Sequence, residues 1–62
     1  MTEQEILNYF DNNKVYKYLG SIKDFNNFIN DLNISYNYIV TNDTVYFVAH
    51  EEVSSSSVIA IN

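Results

Sequence analysis

His50 stands beside Glu51 and Glu52 and just ahead of four consecutive serines, Ser54 to Ser57. One short stretch therefore holds the residue types of a nucleophile, a base and an orienting acid, the set used in hydrolytic acyl transfer. No nucleophile elbow or other motif fixes their geometry, so His50 reads as a surface or strand-end residue. His50 and Glu52, two positions apart, would share a strand face and offer a metal two ligands, too few for a site. Glu51 and Glu52 are neighbours that point to opposite faces of a strand, and so do not form an acid/base pair. One glycine in the chain excludes a Gly-rich phosphate loop. The absence of cysteine excludes thiolate chemistry and a disulfide framework, and a single histidine excludes zinc-finger spacings. The sequence thus names no catalytic residue, no cofactor-binding residue and no metal ligand.

What remains is surface charge. Eight acidic residues against three lysines and no arginine give a net charge of −5, which argues against nucleic acid as a direct ligand, since phosphate binding runs on Lys and Arg. Two acidic regions flank one basic strip formed by Lys14, Lys17 and Lys23. Asp24, Asn27 and Asp31 line one side of a helix, the two carboxylates roughly 10 Å apart along its axis at 1.5 Å per residue. Glu3, Glu5 and Asp11 add negative charge on an earlier helix. Small acidic proteins can imitate the spaced charges of a nucleic-acid backbone and occupy a basic groove. The expectation is a non-enzymatic protein-binding module. In its sharpest form it is a phage or mobile-element inhibitor that blocks a host nucleic-acid-handling enzyme, for example a CRISPR nuclease. Glu3, Asp11, Asp24, Asp31 and Asp43 would carry the contact. Ten Asn, seven Ile and six Tyr with no Pro resemble coding in an AT-rich genome, as in low-G+C bacteria and their phages.

The element that must organise these residues is a hairpin. Tyr36 to Thr41 and Thr44 to His50 are rich in β-branched and aromatic residues, and only Asn42-Asp43, both tolerant of positive φ, separates them. A two-residue turn sets Thr41 against Thr44, Val40 against Val45, Ile39 against Tyr46, Tyr38 against Phe47 and Tyr36 against Ala49. Tyr36, Tyr38, Val40, Val45, Phe47 and Ala49 then share the core face. The other face places Ile39, Tyr46 and Val48 together, an apolar group where an antiparallel sheet ordinarily meets water. This motivates the alternative reading, a homo-oligomeric structural or regulatory module, a homodimer in its simplest form, pairing through that face or through an open edge strand.

The rest of the chain supplies support. Thr2 and Glu5 form a capping-box pattern, and Ile6, Leu7 and Phe10 an apolar stripe, predicting a helix from about 3 to 12. Val15 to Leu19 has strand composition closed by Gly20; the rival reading continues one helix to Leu19 with Gly20 as its C-cap. Ser21 and Asp24 repeat the N-cap pattern, and Ile22, Phe25, Phe28, Ile29 and Leu32 fall on one helical face that ends near Asn33. The serine run reads as a turn before a last strand, Val58 to Ile61. The expected fold is one small α+β domain spanning 1–62, two-layered, in the order helix-strand-helix-strand-strand-strand, with two helices on a mostly antiparallel sheet of three to four strands. An acidic start without an apolar stretch of signal or membrane length predicts a cytoplasmic location and no membrane contact. At 62 residues such a domain is marginal, and its ten Phe and Tyr residues must do the work of missing staples.

Overall fold

A computed structural model describes residues 1–62. Helix α1 spans Glu3–Tyr9 and is opened by the full capping box: the Thr2 hydroxyl accepts from the Glu5 amide, and the Glu5 carboxylate accepts from the Thr2 amide at 2.8 Å. It ends earlier than the predicted position near 12. Asp11 and Asn12 both take left-handed backbone angles, φ 56° and 61°. The Asn12 amide reaches back to the Leu7 carbonyl at 2.9 Å, a Schellman-type closure that turns the chain away. The next residues form strand β1, Tyr16–Tyr18, so the chain breaks between the two apolar runs and does not continue as one helix to Leu19.

Helix α2, Ile22–Leu32, buries Phe25 and Ile29 and closes on Asn33 in the left-handed conformation at φ 52°. Its start differs in detail from a simple N-cap. The Ser21 hydroxyl donates to the Asp24 carboxylate at 2.9 Å and makes no bond to a backbone amide. Strands β2 (Tyr36–Thr41), β3 (Thr44–Ala49) and β4 (Val58–Ala60) complete the order. The β2–β3 register pairs Thr41 with Thr44, Ile39 with Tyr46 and Tyr36 with Ala49, as the two-residue turn requires, with Asn42 and Asp43 at φ 54° and 58°.

The sheet order is β2-β3-β1-β4 and every pairing is antiparallel. Because β1 inserts beside β3, β2 is left at one edge and the short β4 at the other. The α+β class and element order match expectation; the layering does not. Phe25 and Ile29 of α2 pack on Val45, Phe47, Tyr16 and Tyr18, whereas Ile6 and Phe10 of α1 pack with Val15 and Tyr46. These strand residues alternate along β3, so the helices cover opposite faces and the domain has three layers, helix, sheet and helix. The physical reason is the apolar second face of the hairpin, which needs a cover of its own.

Phe25 is the centre of the larger cluster, its ring within 6.0 Å of those of Tyr18, Tyr36, Tyr38 and Phe47. Beside it the Tyr16 ring stacks on Phe47 at 5.4 Å. The Tyr16 hydroxyl accepts a buried hydrogen bond from the Val53 amide at 3.1 Å, which ties the connection between β3 and β4 to the core. Gly20 serves a close approach and not a positive φ: a Cβ there would lie 2.5 Å from the Tyr18 hydroxyl oxygen and 2.7 Å from its ring. Only eleven of 62 residues are buried, and none is polar or charged. In a core this small, each large side chain holds a sizeable share of total stability.

Candidate protein-binding surface

The sheet edge at β2 is built by the hairpin and left open by topology. The His50 amide donates to the Ser35 carbonyl at 3.2 Å. In an antiparallel ladder bonding alternates, so Asn37, Ile39 and Thr41 turn inward to β3, while Tyr36, Tyr38 and Val40 turn their N–H and C=O groups to the free edge. Those residues also point their side chains to the α2 face, which α2 does not fully cover at this edge: Tyr38 is 51% and Val40 49% exposed, whereas Val45 and Phe47 opposite them on β3 are buried.

At the start of β2 lies a groove of about 460 Å³, between Tyr9 at the end of α1, Asp11 and Asn13 of the turn that follows, and Tyr36, Asn37 and Tyr38 of the strand. The left-handed pair Asp11-Asn12 places this turn, and Asn13 is held by its side-chain amide, which donates to the Phe10 carbonyl at 2.8 Å. Tyr9 lies off the α1 apolar stripe and is 61% exposed. A smaller hollow of about 220 Å³ adjoins it, with Lys14 and His50 on its wall. Sequence reasoning named Asp11 but missed Tyr9, Asn13, Asn37 and the edge role of Tyr36 and Tyr38. Tyr9 alone carried a signal, as an aromatic residue off its helix's apolar stripe.

The five acidic candidates fall in three places. Glu3 lies near the hairpin tip: the Tyr46 hydroxyl donates to it at 3.4 Å, and the adjacent Met1 carbonyl accepts from the Asn42 side chain at 3.1 Å. Asp43, in the turn itself, belongs to the same end. Asp11 sits at the groove. Asp24 and Asp31 are exposed on α2, on the other side of the sheet from Glu3 and Asp11. The five do not form one continuous face.

Two groups have shifted acidities. The Glu5 carboxyl is held below its ordinary 4.5 by the Thr2 amide and hydroxyl, with the nearby N-terminal charge adding to this. Burial, then the Glu3 carboxylate, pushes the Tyr46 hydroxyl above its ordinary 10.0.

Ile39, Tyr46 and Val48 are covered from within the chain. Tyr46 is 5% exposed among Ile6, Phe10 and Val15, and Ile39 and Val48 are half-buried against the same cluster. The contact that sequence reasoning assigned to a second subunit on this face is made by α1. His50 is exposed. The serine run forms a turn in which the Ser55 hydroxyl accepts from the Ser57 amide at 3.1 Å. No group of three His, Asp or Glu side chains is placed to hold a metal ion. No helix is long and apolar enough to cross a membrane.

Comparison with protein-family models, with curated proteins and with solved structures finds no match.

Proposed function

We propose that the chain is a non-enzymatic protein-binding module that engages a basic partner. The observation that carries this reading is the placement of charge. All eight carboxylates are exposed and only three lysines oppose them, so the negative field faces outward and is free to steer a cationic surface. On α2, exposed Asn27 lies between Asp24 and Asp31 on one side of the helix, a row of spaced charge and amide groups that suits a groove built for phosphates. The sharper form of the reading follows from this row: an inhibitor of phage or mobile-element type that occupies the nucleic-acid groove of a host enzyme such as a CRISPR nuclease.

The test is affinity capture from a bacterial lysate with elution by salt, comparing the native chain with an Asp24→Lys, Asp31→Lys variant of equal melting temperature. A basic partner held by the native chain, released by salt and lost by the variant supports the reading. A partner bound equally by both chains defeats the mimicry. The homo-oligomeric alternative draws its support from the open sheet edges at β2 and β4 and not from the Tyr46 face, on which Ile6 and Phe10 pack.

A further inference from the structure

We propose that the open edge of β2 pairs with the same edge of a second copy of the chain, antiparallel and about a two-fold axis at Tyr38. The proposal stands on the edge itself and not on the basic-partner reading. The residues whose backbone groups turn outward are Tyr36, Tyr38 and Val40, a row centred on Tyr38. Set against itself in antiparallel order, the row places Tyr38 opposite Tyr38 and Tyr36 opposite Val40, and every outward N–H then meets an outward C=O. A slip by one residue sets this row against residues already bonded to β3. A slip by two carries one member of the row past the end of the partner strand.

The side chains select the same register. The Tyr38 ring is held by Phe25 at 5.6 Å and Tyr36 at 5.8 Å, yet stays half-exposed, as does Val40. Pairing about Tyr38 covers that ring with its own copy and sets Tyr36 over Val40, all on the α2 side of the sheet. Free edges are ordinarily protected by charge, proline or brevity. Strand β4 is brief, at three residues. Strand β2 runs for six residues, Tyr-Asn-Tyr-Ile-Val-Thr, with neither charge nor proline.

The charges at the two ends of the strand are matched by a second copy. At the Thr41 end the Met1 ammonium donates to the Thr41 hydroxyl at 3.4 Å, with Glu3 and Asp43 at the same end of the molecule. At the Tyr36 end Asp11 lines the groove, and Lys14 and His50 line the hollow beside it. Each end therefore carries both signs. Antiparallel pairing brings the Thr41 end of one copy to the Tyr36 end of the other, so the ammonium gains Asp11, and the tip carboxylates gain Lys14, as opposite charge. Exposed pairs of this kind add little; the backbone row and the apolar cover hold the contact. The pairing joins the four strands of each copy into one antiparallel sheet, with both α2 helices, and both Asp24 and Asp31 rows, on the same side of it.

The experiment measures the solution mass of the full chain by sedimentation across concentration, with amide exchange read on the same samples. The expected result is a species of two chains, with exchange at Tyr36, Tyr38 and Val40 slowing as concentration rises. Each copy carries −5, so raising salt should leave the association unchanged or strengthen it, the reverse of its effect on a basic partner. Val40→Pro removes an N–H that the fold does not use, and Tyr38→Lys sets two like charges against each other at the axis; each should weaken the association at least about tenfold. Tyr38→Glu alone should do the same, and mixing the Tyr38→Lys and Tyr38→Glu chains should restore a pair. A single-chain mass at every concentration overturns the proposal, as does a dimer that the folded Val40→Pro and Tyr38→Lys chains retain, or a mixture that fails to pair. Protection of the three amides that needs another protein assigns the edge to a foreign segment and overturns it too. A basic partner captured by a chain that stays single refutes the pairing and leaves the protein-binding reading standing.

Discussion

The Tyr46 hydroxyl donates to the Glu3 carboxylate at 3.4 Å across 43 residues of sequence, and so joins the middle of β3 to the first turn of α1. The bond marks where the chain covers its own second sheet face, with Ile6 and Phe10 laid over the Tyr46 ring. Tyr46→Lys would put a cation into that apolar cluster, directly across from Lys17 on β1. It should cost at least about 3 kcal/mol, enough to unfold much of a domain of this size. Tyr46→Phe keeps the ring and should cost about 1 kcal/mol. Urea melts of the two variants check the order. A folded Tyr46→Lys chain would show that α1 is not the cover.

The same residue sets an alkaline limit. Its raised pKa means that the native state holds the phenolic proton more tightly than the unfolded chain does. The stability this contributes is complete below about pH 10 and declines as pH rises through the folded value. Tyr46→Phe should lose less stability than the native chain between about pH 9 and about pH 11, read by chemical denaturation at each pH.

Glu5 acts in the opposite direction. Its folded pKa is lowered by the Thr2 amide and hydroxyl, so its contribution is present above the ordinary 4.5 and disappears as pH falls through the folded value. Acid should release α1 before α2. Glu5→Gln should flatten the dependence of melting temperature on pH in the window from the ordinary 4.5 down to the lower folded value, as thermal scans at a series of acidic pH values would register. An unchanged slope would mean that the capping box is not held in solution.

Tyr16→Phe isolates a single buried hydrogen bond. The ring still stacks on Phe47, but the Val53 amide loses its acceptor at 3.1 Å and remains buried. The expected loss is about 1–3 kcal/mol, accompanied by faster amide exchange at Val53. A loss of stability with Val53 exchange unchanged would place the effect elsewhere.

The hairpin register was legible residue by residue, because Asn42-Asp43 admits one tight turn and the pleat then leaves one pairing. The α2 stripe was legible from its spacing, though Ile22 at its start stays exposed. What could not be read was which strand forms the edge. That depends on three residues, Tyr16–Tyr18, inserting between β3 and β4, and their types suit either side of the hairpin. The exposure of Tyr38 and Val40 follows from that choice alone. The groove was hidden for a related reason. Tyr9, Asp11 and Asn13 meet Tyr36 to Tyr38 only because Asp11 and Asn12 both adopt left-handed angles, and Asn or Asp shows tolerance for that conformation without announcing it.

Asp43 allows stability and binding to be separated at one position. Its φ of 58° follows Asn42 at 54°, the double left-handed geometry for which Asn-Gly is the favoured pair. Asp43→Gly relieves the Cβ strain at that angle and removes a carboxylate from an end of the molecule that already carries Glu3. It should stabilise by about 0.5–1 kcal/mol, a rise of a few degrees in Tm. Asp43→Asn removes the charge but keeps the Cβ, so its Tm should stay close to that of the native chain. If Asp43 helps to hold a basic partner, both variants lose affinity alike while only the glycine variant gains stability. Calorimetric melting beside a salt-dependent binding titration separates the two effects. Affinity that follows Tm and not charge would assign Asp43 to the turn alone.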